Sequence, residues 1–164
     1  MKNQKVLFMV QAAMIAAIYV VLTMMFAPFG FGEIQIRISE ALTVLPFFTP
    51  AAIPGLFIGC LLGNILGGAI LPDIIFGSLA TLIGACFTYM LRKRSKYTAP
   101  LPPIITNTVI VPFILAYGYG VPLPIPFMML TVGIGEIISC GVLGIIILTA
   151  LDRYSYKIFQ KKTA

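Results

Sequence analysis

The chain has 164 residues, of which 60% are hydrophobic and 10% are charged, and its mean hydropathy is +1.05. This composition excludes an ordinary soluble domain and indicates an integral membrane protein surrounded by lipid. The net charge of +6 is compatible with nucleic-acid binding, but the basic residues occur in short clusters between apolar segments. Because that pattern is typical of membrane topology signals, we predict no nucleic-acid partner.

Six apolar segments follow one another, and most approach the roughly 20 residues that a bilayer-crossing helix needs. Their approximate bounds are 6–27, 40–53, 54–71, 73–91, 101–119 and 125–151. The first segment is long and leads into five more, so we expect a retained helix rather than a signal peptide. The pattern therefore predicts a single all-α membrane domain over residues 1–164.

Prolines leave the stretch 40–71 open to two interpretations, one crossing or two short ones, because Pro46, Pro50 and Pro54 interrupt it. The basic residues decide between them. Except for Arg37, they precede the first segment or follow the fourth and the sixth. Two crossings place all of these on the cytoplasmic side, which agrees with the usual excess of Lys and Arg there. We therefore predict six transmembrane helices with cytoplasmic N and C termini.

Residues 32–42, GEIQIRISEAL, concentrate three charges in this apolar chain. Isoleucines at 34, 36 and 38 alternate with polar residues, and this period predicts an extended strand. One interpretation is a lid over a polar pocket at the outer face. The other is a connector in which Arg37 pairs with Glu33, Ser39 caps the second helix and Glu40 favours its N-terminal dipole.

The predicted outer and intramembrane side is acidic. It contains one basic residue, Arg37, together with four acids, Glu33, Glu40, Asp73 and Glu136. This balance favours a ligand that is cationic or rich in hydrogen-bond donors.

Several polar residues fall within the apolar segments, where they are costly and usually face the bundle interior. Glu136 lies about 16 Å into the sixth segment at 1.5 Å per residue, near mid-bilayer. It either binds a ligand or pairs with an Asn or Arg of another helix. Asp73 begins the fourth segment, where an acid is also an ordinary helix cap. Asn64 and Asn107 either contact a ligand or join helices by hydrogen bonds.

Small residues recur at helical spacing in two segments. Gly55, Gly59, Gly63 and Gly67 form a predicted ridge for close helix contact in the third segment. In the first segment Ala12 pairs with Ala16, and Ala13 pairs with Ala17. These alanines contact either a neighbouring helix or a second protein.

Missing motifs narrow the chemistry. The chain has no His, no hydrolase or metalloprotease motif and no Walker-type G-K-[ST] sequence. Its three cysteines, Cys60, Cys86 and Cys140, are widely spaced in apolar segments and are expected to be small buried residues. We therefore predict neither an enzyme nor a metal or cofactor site, and any ATP-driven step requires a partner.

Four blocks of sequence resemble the QueT family, the substrate-binding S components of energy-coupling factor (ECF) transporters linked to queuosine precursors. They are IQIRISEALTVLPFFTPAAIPGLFIGCLLGN, PDIIFGSLATLIGA, PLPPIITNTVIV and VGIGE. The resemblance implies an S-component-like six-helix bundle in the bacterial plasma membrane. It further implies capture of aminomethyl deazaguanine (preQ1) or a related precursor from outside, and assembly with a transmembrane T component (EcfT) and two ATPases (EcfA type).

The resemblance also implies site residues. Its best-matching motifs fall on Ser39 and on seven polar positions of the predicted ligand site, which are Gln35, Arg37, Glu40, Asn64, Asp73, Asn107 and Glu136. Ala12 and Ala16 match the small residues with which the first helix of S components docks onto the T component.

Two other classes of function stay open from the residues alone. A stand-alone, proton-coupled carrier or exporter also uses a membrane-embedded acid such as Glu136, and it needs no ATPase. A membrane enzyme with paired carboxylates as general acid and base is the other class.

Overall fold

The computed structural model describes residues 2–26 and 37–154, which form six helices without a strand. In chain order these are α1 (Lys2–Met25), α2 (Ile38–Phe47), α3 (Ala52–Leu66), α4 (Asp73–Leu91), α5 (Lys96–Gly118) and α6 (Ile125–Asp152). The predicted all-α class is confirmed for this part of the chain.

Helix length separates the six helices into two groups. Helices α1, α4, α5 and α6 are long and apolar enough to cross a membrane. Helix α2 is a 3-10 helix of 10 residues, and α3 has 15 residues. Their lengths, about 20 Å and 22 Å, are less than the hydrocarbon core of about 30 Å. Six crossings and cytoplasmic termini therefore stay predictions.

The prolines of the stretch 40–71 divide it into two helices, as predicted. Pro46 lies in the last turn of α2, and Pro50 lies in the connecting turn. Pro54 is in the first turn of α3, where the missing backbone N–H removes no helical hydrogen bond.

Helix α2 occupies the centre of the bundle. Every residue from Ser39 to Pro46 is buried, and the helix contacts α1, α3, α4 and α6. Its apolar side chains, including Val44 and Leu45, join the core with Leu56 and Leu148. The longer helices carry many exposed large apolar side chains, which suit a lipid surround. Because α2 is enclosed, its polar residues lie inside the protein.

The predicted extended strand is wrong at its C-terminal end. Arg37 has extended backbone angles, with φ −93° and ψ 98°, but α2 already begins at Ile38. Ser39 therefore lies inside the helix and caps nothing. Its hydroxyl oxygen instead accepts a hydrogen bond from Thr23 at 2.9 Å. Glu33 and the rest of the segment up to residue 36 lie outside the described residues.

Three of the long helices contain a wide π-helical turn. These turns are Asp73–Gly77 in α4, Ile114–Gly118 in α5 and Ile137–Leu143 in α6. Wide turns of this kind often occur at functional sites because they redirect the side chains next to them. The turn of α4 includes the buried Asp73, and that of α6 follows the buried Glu136, whereas that of α5 precedes Tyr119, which is 41% exposed.

The predicted glycine ridge of α3 packs against α1. A Cβ atom on Gly55 would lie 2.7 Å from the Ala12 carbonyl oxygen, and one on Gly59 would lie 2.8 Å from the Tyr19 Cβ. Gly63 similarly faces Thr23. Three of the four glycines thus allow a close approach of the two helices, and this approach positions Tyr19.

We predict that Gly59→Ala destabilises the fold, because the added methyl group overpacks the α1–α3 contact at a cost of about 1–3 kcal/mol. Thermal unfolding in detergent, followed by circular dichroism, measures the effect as a lower Tm. Gly141→Ala is the matched control, since its Cβ would meet neighbours only at 3.8 Å. Equal Tm values for the two variants would contradict the close packing.

Candidate functional site

Glu40 carries a carboxyl group into the centre of the bundle, where the residue is 1% exposed. Its Oε1 accepts a hydrogen bond of 2.5 Å from the Tyr19 hydroxyl. Its backbone carbonyl accepts one from Thr43 Oγ1 at 2.6 Å and one from Cys140 Sγ at 3.4 Å. Within the described residues, Glu40 Oε2 has no hydrogen-bond partner. One buried acceptor therefore stays available to a ligand.

Glu136 reaches the same region from α6 and is 4% exposed. Asn107 Nδ2 donates to its Oε1 at 3.0 Å, and the Cys140 thiol lies 3.1 Å from its Oε2 and can donate its one proton there in place of the Glu40 carbonyl. Ligating atoms of Glu40, Glu136 and Cys140 all lie within 4.8 Å of one another. We call Glu40 and Glu136 the diacid pair.

The diacid pair has only neutral hydrogen-bond partners in residues 2–26 and 37–154. Tyr19, Asn107 and Cys140 provide them, and neither acid forms an ion pair there. Two carboxylates this close repel each other strongly in a low-dielectric interior. The pair is therefore suited to share a proton or to bind a cation.

Asp73 forms a second cluster at the start of α4, where it is 2% exposed. Its Oδ2 accepts from the Tyr119 hydroxyl at 3.0 Å and pairs with Arg37 Nη2 at 3.5 Å. Asn64 Nδ2 donates to the Asp73 backbone carbonyl at 3.3 Å. Oδ1 has no partner within the described residues. The carboxylate thus binds side chains and makes no helix-capping bond.

Both donors to Asp73 keep their protons near neutral pH. Burial is the largest single influence and would lower the pKa of the Arg37 guanidinium, but Asp73 and the other acidic groups nearby together outweigh it and raise the pKa above its usual range. Partial burial and then the Asp73 charge raise the pKa of the Tyr119 hydroxyl. The Asp73 carboxylate is accordingly held between a cation and a neutral donor.

The predicted site residues fall into these two clusters. Glu40, Asn107 and Glu136 belong to the first cluster, and Arg37, Asn64 and Asp73 belong to the second. Gln35 lies outside the described residues. The two asparagines also join helices, since Asn64 bonds α3 to α4 and Asn107 bonds α5 to α6.

The predicted docking alanines lie on the side of α1 that faces α3. Ala16 is buried, and its Cα is 3.1 Å from the position of a Cβ on Gly59. Ala12 is partly buried beside Gly55. Ala13 and Ala17 lie on the exposed side of the same helix.

Sequence reasoning missed two members of the first cluster, Tyr19 and Cys140. Cys140 follows Glu136 by four residues, and this helical spacing places the two side chains on one face. The spacing alone could therefore have indicated that Cys140 lies beside Glu136. Tyr19 stands alone in an apolar helix, and no local pattern marks it. Its role depends on the contact between α1 and α2.

A divalent metal ion is a second chemically reasonable occupant of the first cluster. Two carboxylates and a thiol, from Glu40, Glu136 and Cys140, are donors that such ions accept. The sequence did not indicate this set, because its members come from α2 and α6.

An apolar groove of about 500 Å³ lies between the start of α4 and the end of α5, lined in part by Phe76, Phe113 and Tyr117. The Phe113 and Tyr117 rings stack at 6.4 Å, and Tyr117 is 81% exposed. None of the described residues that line the groove is charged. It therefore fits an apolar occupant and does not suit a polar ligand.

Buried acids enclosed by long apolar helices define a multi-pass membrane protein with an internal polar site, an arrangement typical of membrane transport proteins. The sequence agrees with this class. The chain belongs to the QueT transporter family, whose profile matches residues 9–153.

One relative is the "Queuosine precursor transporter QueT" of Lactococcus lactis subsp. cremoris (strain MG1363), which is 37% identical to this chain over 98 residues. The match covers 58% of this chain and 57% of the relative. The chain thus matches a little over half of that protein's length. No solved structure matches significantly.

We predict that Tyr19→Phe lowers the Tm in detergent, because the Glu40 carboxyl group loses the hydrogen bond that the Tyr19 hydroxyl donates to it. Leaving a buried acceptor unsatisfied costs about 1–3 kcal/mol. Tyr97→Phe is the control, since Tyr97 is 63% exposed and its hydroxyl makes no hydrogen bond to a described residue. The same Tm for both variants would show that the Tyr19 hydroxyl does not support Glu40.

Proposed function

We propose that the protein is the substrate-binding S component of an ECF-type importer and captures a queuosine precursor, a deazaguanine such as preQ1, from outside the cell. Membership of the QueT transporter family and the name of the Lactococcus relative support this proposal. The observation that carries it is the pair of buried carboxylate oxygens that have no hydrogen-bond partner among the described residues, Glu40 Oε2 and Asp73 Oδ1.

The chemistry of a deazaguanine matches these groups. A guanine-like edge offers two adjacent N–H donors, which one carboxylate accepts together, and a carbonyl that accepts from Arg or Asn. An aminomethyl substituent adds a positive charge. The two clusters provide three acids, with Arg37 and the two asparagines as donors. The bundle interior therefore contains acceptors for the N–H groups and the ammonium group of the ligand, and donors for its carbonyl group.

The proposed topology lets a ligand enter from outside. With six crossings and a cytoplasmic N terminus, the start of α4 and the end of α5 face outward. Asp73 and Tyr119 lie at those two ends, and Arg37 contacts Asp73. A ligand arriving from outside then meets the Asp73 cluster before the diacid pair.

Energy for uptake comes from partners in this proposal, because the chain has no Walker-type motif. The T component and two ATPases supply it. We infer that α1 docks onto the T component through its exposed side, where Ala13 and Ala17 offer a close approach. Docking through Ala12 and Ala16 would require α1 to separate from α3, because these two alanines pack against its glycines.

We predict that Asp73→Asn weakens binding of aminomethyl deazaguanine by about tenfold or more, because charged hydrogen bonds contribute about 1.5–3 kcal/mol. Titration calorimetry in detergent measures this, with guanine as a control ligand. Asp152→Asn is the control variant, since Asp152 forms a partly exposed ion pair with Lys96 far along the chain from the site. Unchanged affinity of Asp73→Asn would remove Asp73 from the site, and thermal unfolding separates lost binding from lost fold.

Uptake distinguishes the importer from a stand-alone carrier. In cells that lack ECF partners, we expect the protein to bind labelled aminomethyl deazaguanine without accumulating it. Co-expression with the T component and the ATPases should restore accumulation, and ATP depletion should abolish it. Accumulation without partners that an uncoupler dissipates would contradict the proposal and favour a proton-coupled carrier.

A further inference from the structure

We propose that the diacid pair is a cation subsite that holds the ammonium group of the ligand, whereas the Arg37–Asp73 pair binds its guanine-like edge. This inference rests on the proposed function and adds selectivity to it: the protein selects a deazaguanine with a cationic substituent over neutral analogues. It assigns one ligand group to each cluster.

The surroundings of the diacid pair support a cationic occupant. Ligating atoms of Glu40 and Glu136 lie within 4.8 Å, and their described hydrogen-bond partners are all neutral. Glu40 Oε2 is buried without a partner in the described part of the chain. An ammonium group donates up to three hydrogen bonds and carries the charge that would relieve the repulsion between the two acids.

The Asp73 cluster instead offers an acceptor beside a donor. Oδ1 is unpartnered within the described residues, while the Arg37 guanidinium lies 3.5 Å from Oδ2. An N–H edge next to a carbonyl is complementary to this arrangement. Gly77 leaves the space beside Oδ1 open, because a Cβ there would lie 2.8 Å from that atom. The opposite charges of Arg37 and Asp73 also make this cluster a poorer site for a lone cation.

The two clusters meet at the N-terminal end of α2, so one ligand can contact both. Arg37 precedes α2 and Glu40 lies in its first turn, joined by a backbone hydrogen bond of 2.9 Å. One turn of 3-10 helix rises about 6 Å, so the chain enters the two clusters about one turn apart. A ligand with its edge at Asp73 therefore brings a short substituent towards Glu40 and Glu136.

Calorimetry with three deazaguanines tests the assignment: the aminomethyl, nitrile and unsubstituted compounds, each against the full chain in detergent. We expect the wild type to bind the aminomethyl compound at least about tenfold more tightly than the nitrile, as one charged hydrogen bond would provide. Glu136→Gln should reduce this ratio at least about tenfold. Asp73→Asn should weaken all three by similar factors and preserve the ratio.

The calorimetry distinguishes failure of the cation subsite from failure of the proposed function. If the wild type binds the three compounds equally, or if Glu136→Gln weakens them equally, the cation subsite is wrong while the proposed function stands. If no deazaguanine binds, the proposed function itself fails. Loss of binding after treatment with a chelator would assign Glu40, Glu136 and Cys140 to a metal ion and overturn the subsite. Glu40→Gln is the second variant should Glu136→Gln fail to fold.

Discussion

The buried carboxyl group of Glu40 constrains the rest of the structure. An ion in a low-dielectric interior loses several kcal/mol of hydration, which only hydrogen bonds and a suitable partner can offset. Helix α2 nevertheless places Glu40 at the centre, enclosed by four other helices. Tyr19 satisfies one of its oxygens, and Glu136 adds a second acid beside it. The bundle therefore maintains a polar interior that apolar packing alone would not produce.

Features far from the acids help to maintain this interior. The glycines of α3 let α1 approach closely enough for the Tyr19 hydroxyl to reach Glu40. Wide turns in α4 and α6 begin at Asp73 and directly after Glu136, and the second includes Cys140. Packing between helices and irregularities within them thus act together on the same few side chains. A substitution that only changes helix packing is for this reason expected to affect the site.

Much of the fold follows from patterns that are local in sequence. Long apolar runs predicted the helices, because lipid requires continuous backbone hydrogen bonding. The prolines between residues 40 and 54 left one or two crossings open there, and the distribution of basic residues favoured two and hence six helices. The alternation before Glu40 was misleading at Ile38 and Ser39, where burial of α2 outweighs the strand-like pattern. The apolar runs 40–53 and 54–71 are also longer than the helices formed there, since α2 has 10 residues and α3 has 15.

The site could be predicted only in part. An acid or amide inside an apolar segment is conspicuous, so Glu136, Asn64 and Asn107 were found from their positions. Tyr19 and Cys140 were missed because each is an ordinary residue of an apolar helix until a neighbouring helix approaches. The pairing of Arg37 with Asp73 likewise depends on contact between segments 36 residues apart.

A structure of the protein bound to aminomethyl deazaguanine would show where the ligand lies. We expect the ligand inside the bundle, with its amino group within hydrogen-bond distance of Glu40 and Glu136 and its guanine-like edge at Asp73. A ligand bound elsewhere, for example in the apolar groove beside Phe113 and Tyr117, would show that the two polar clusters are not the binding site.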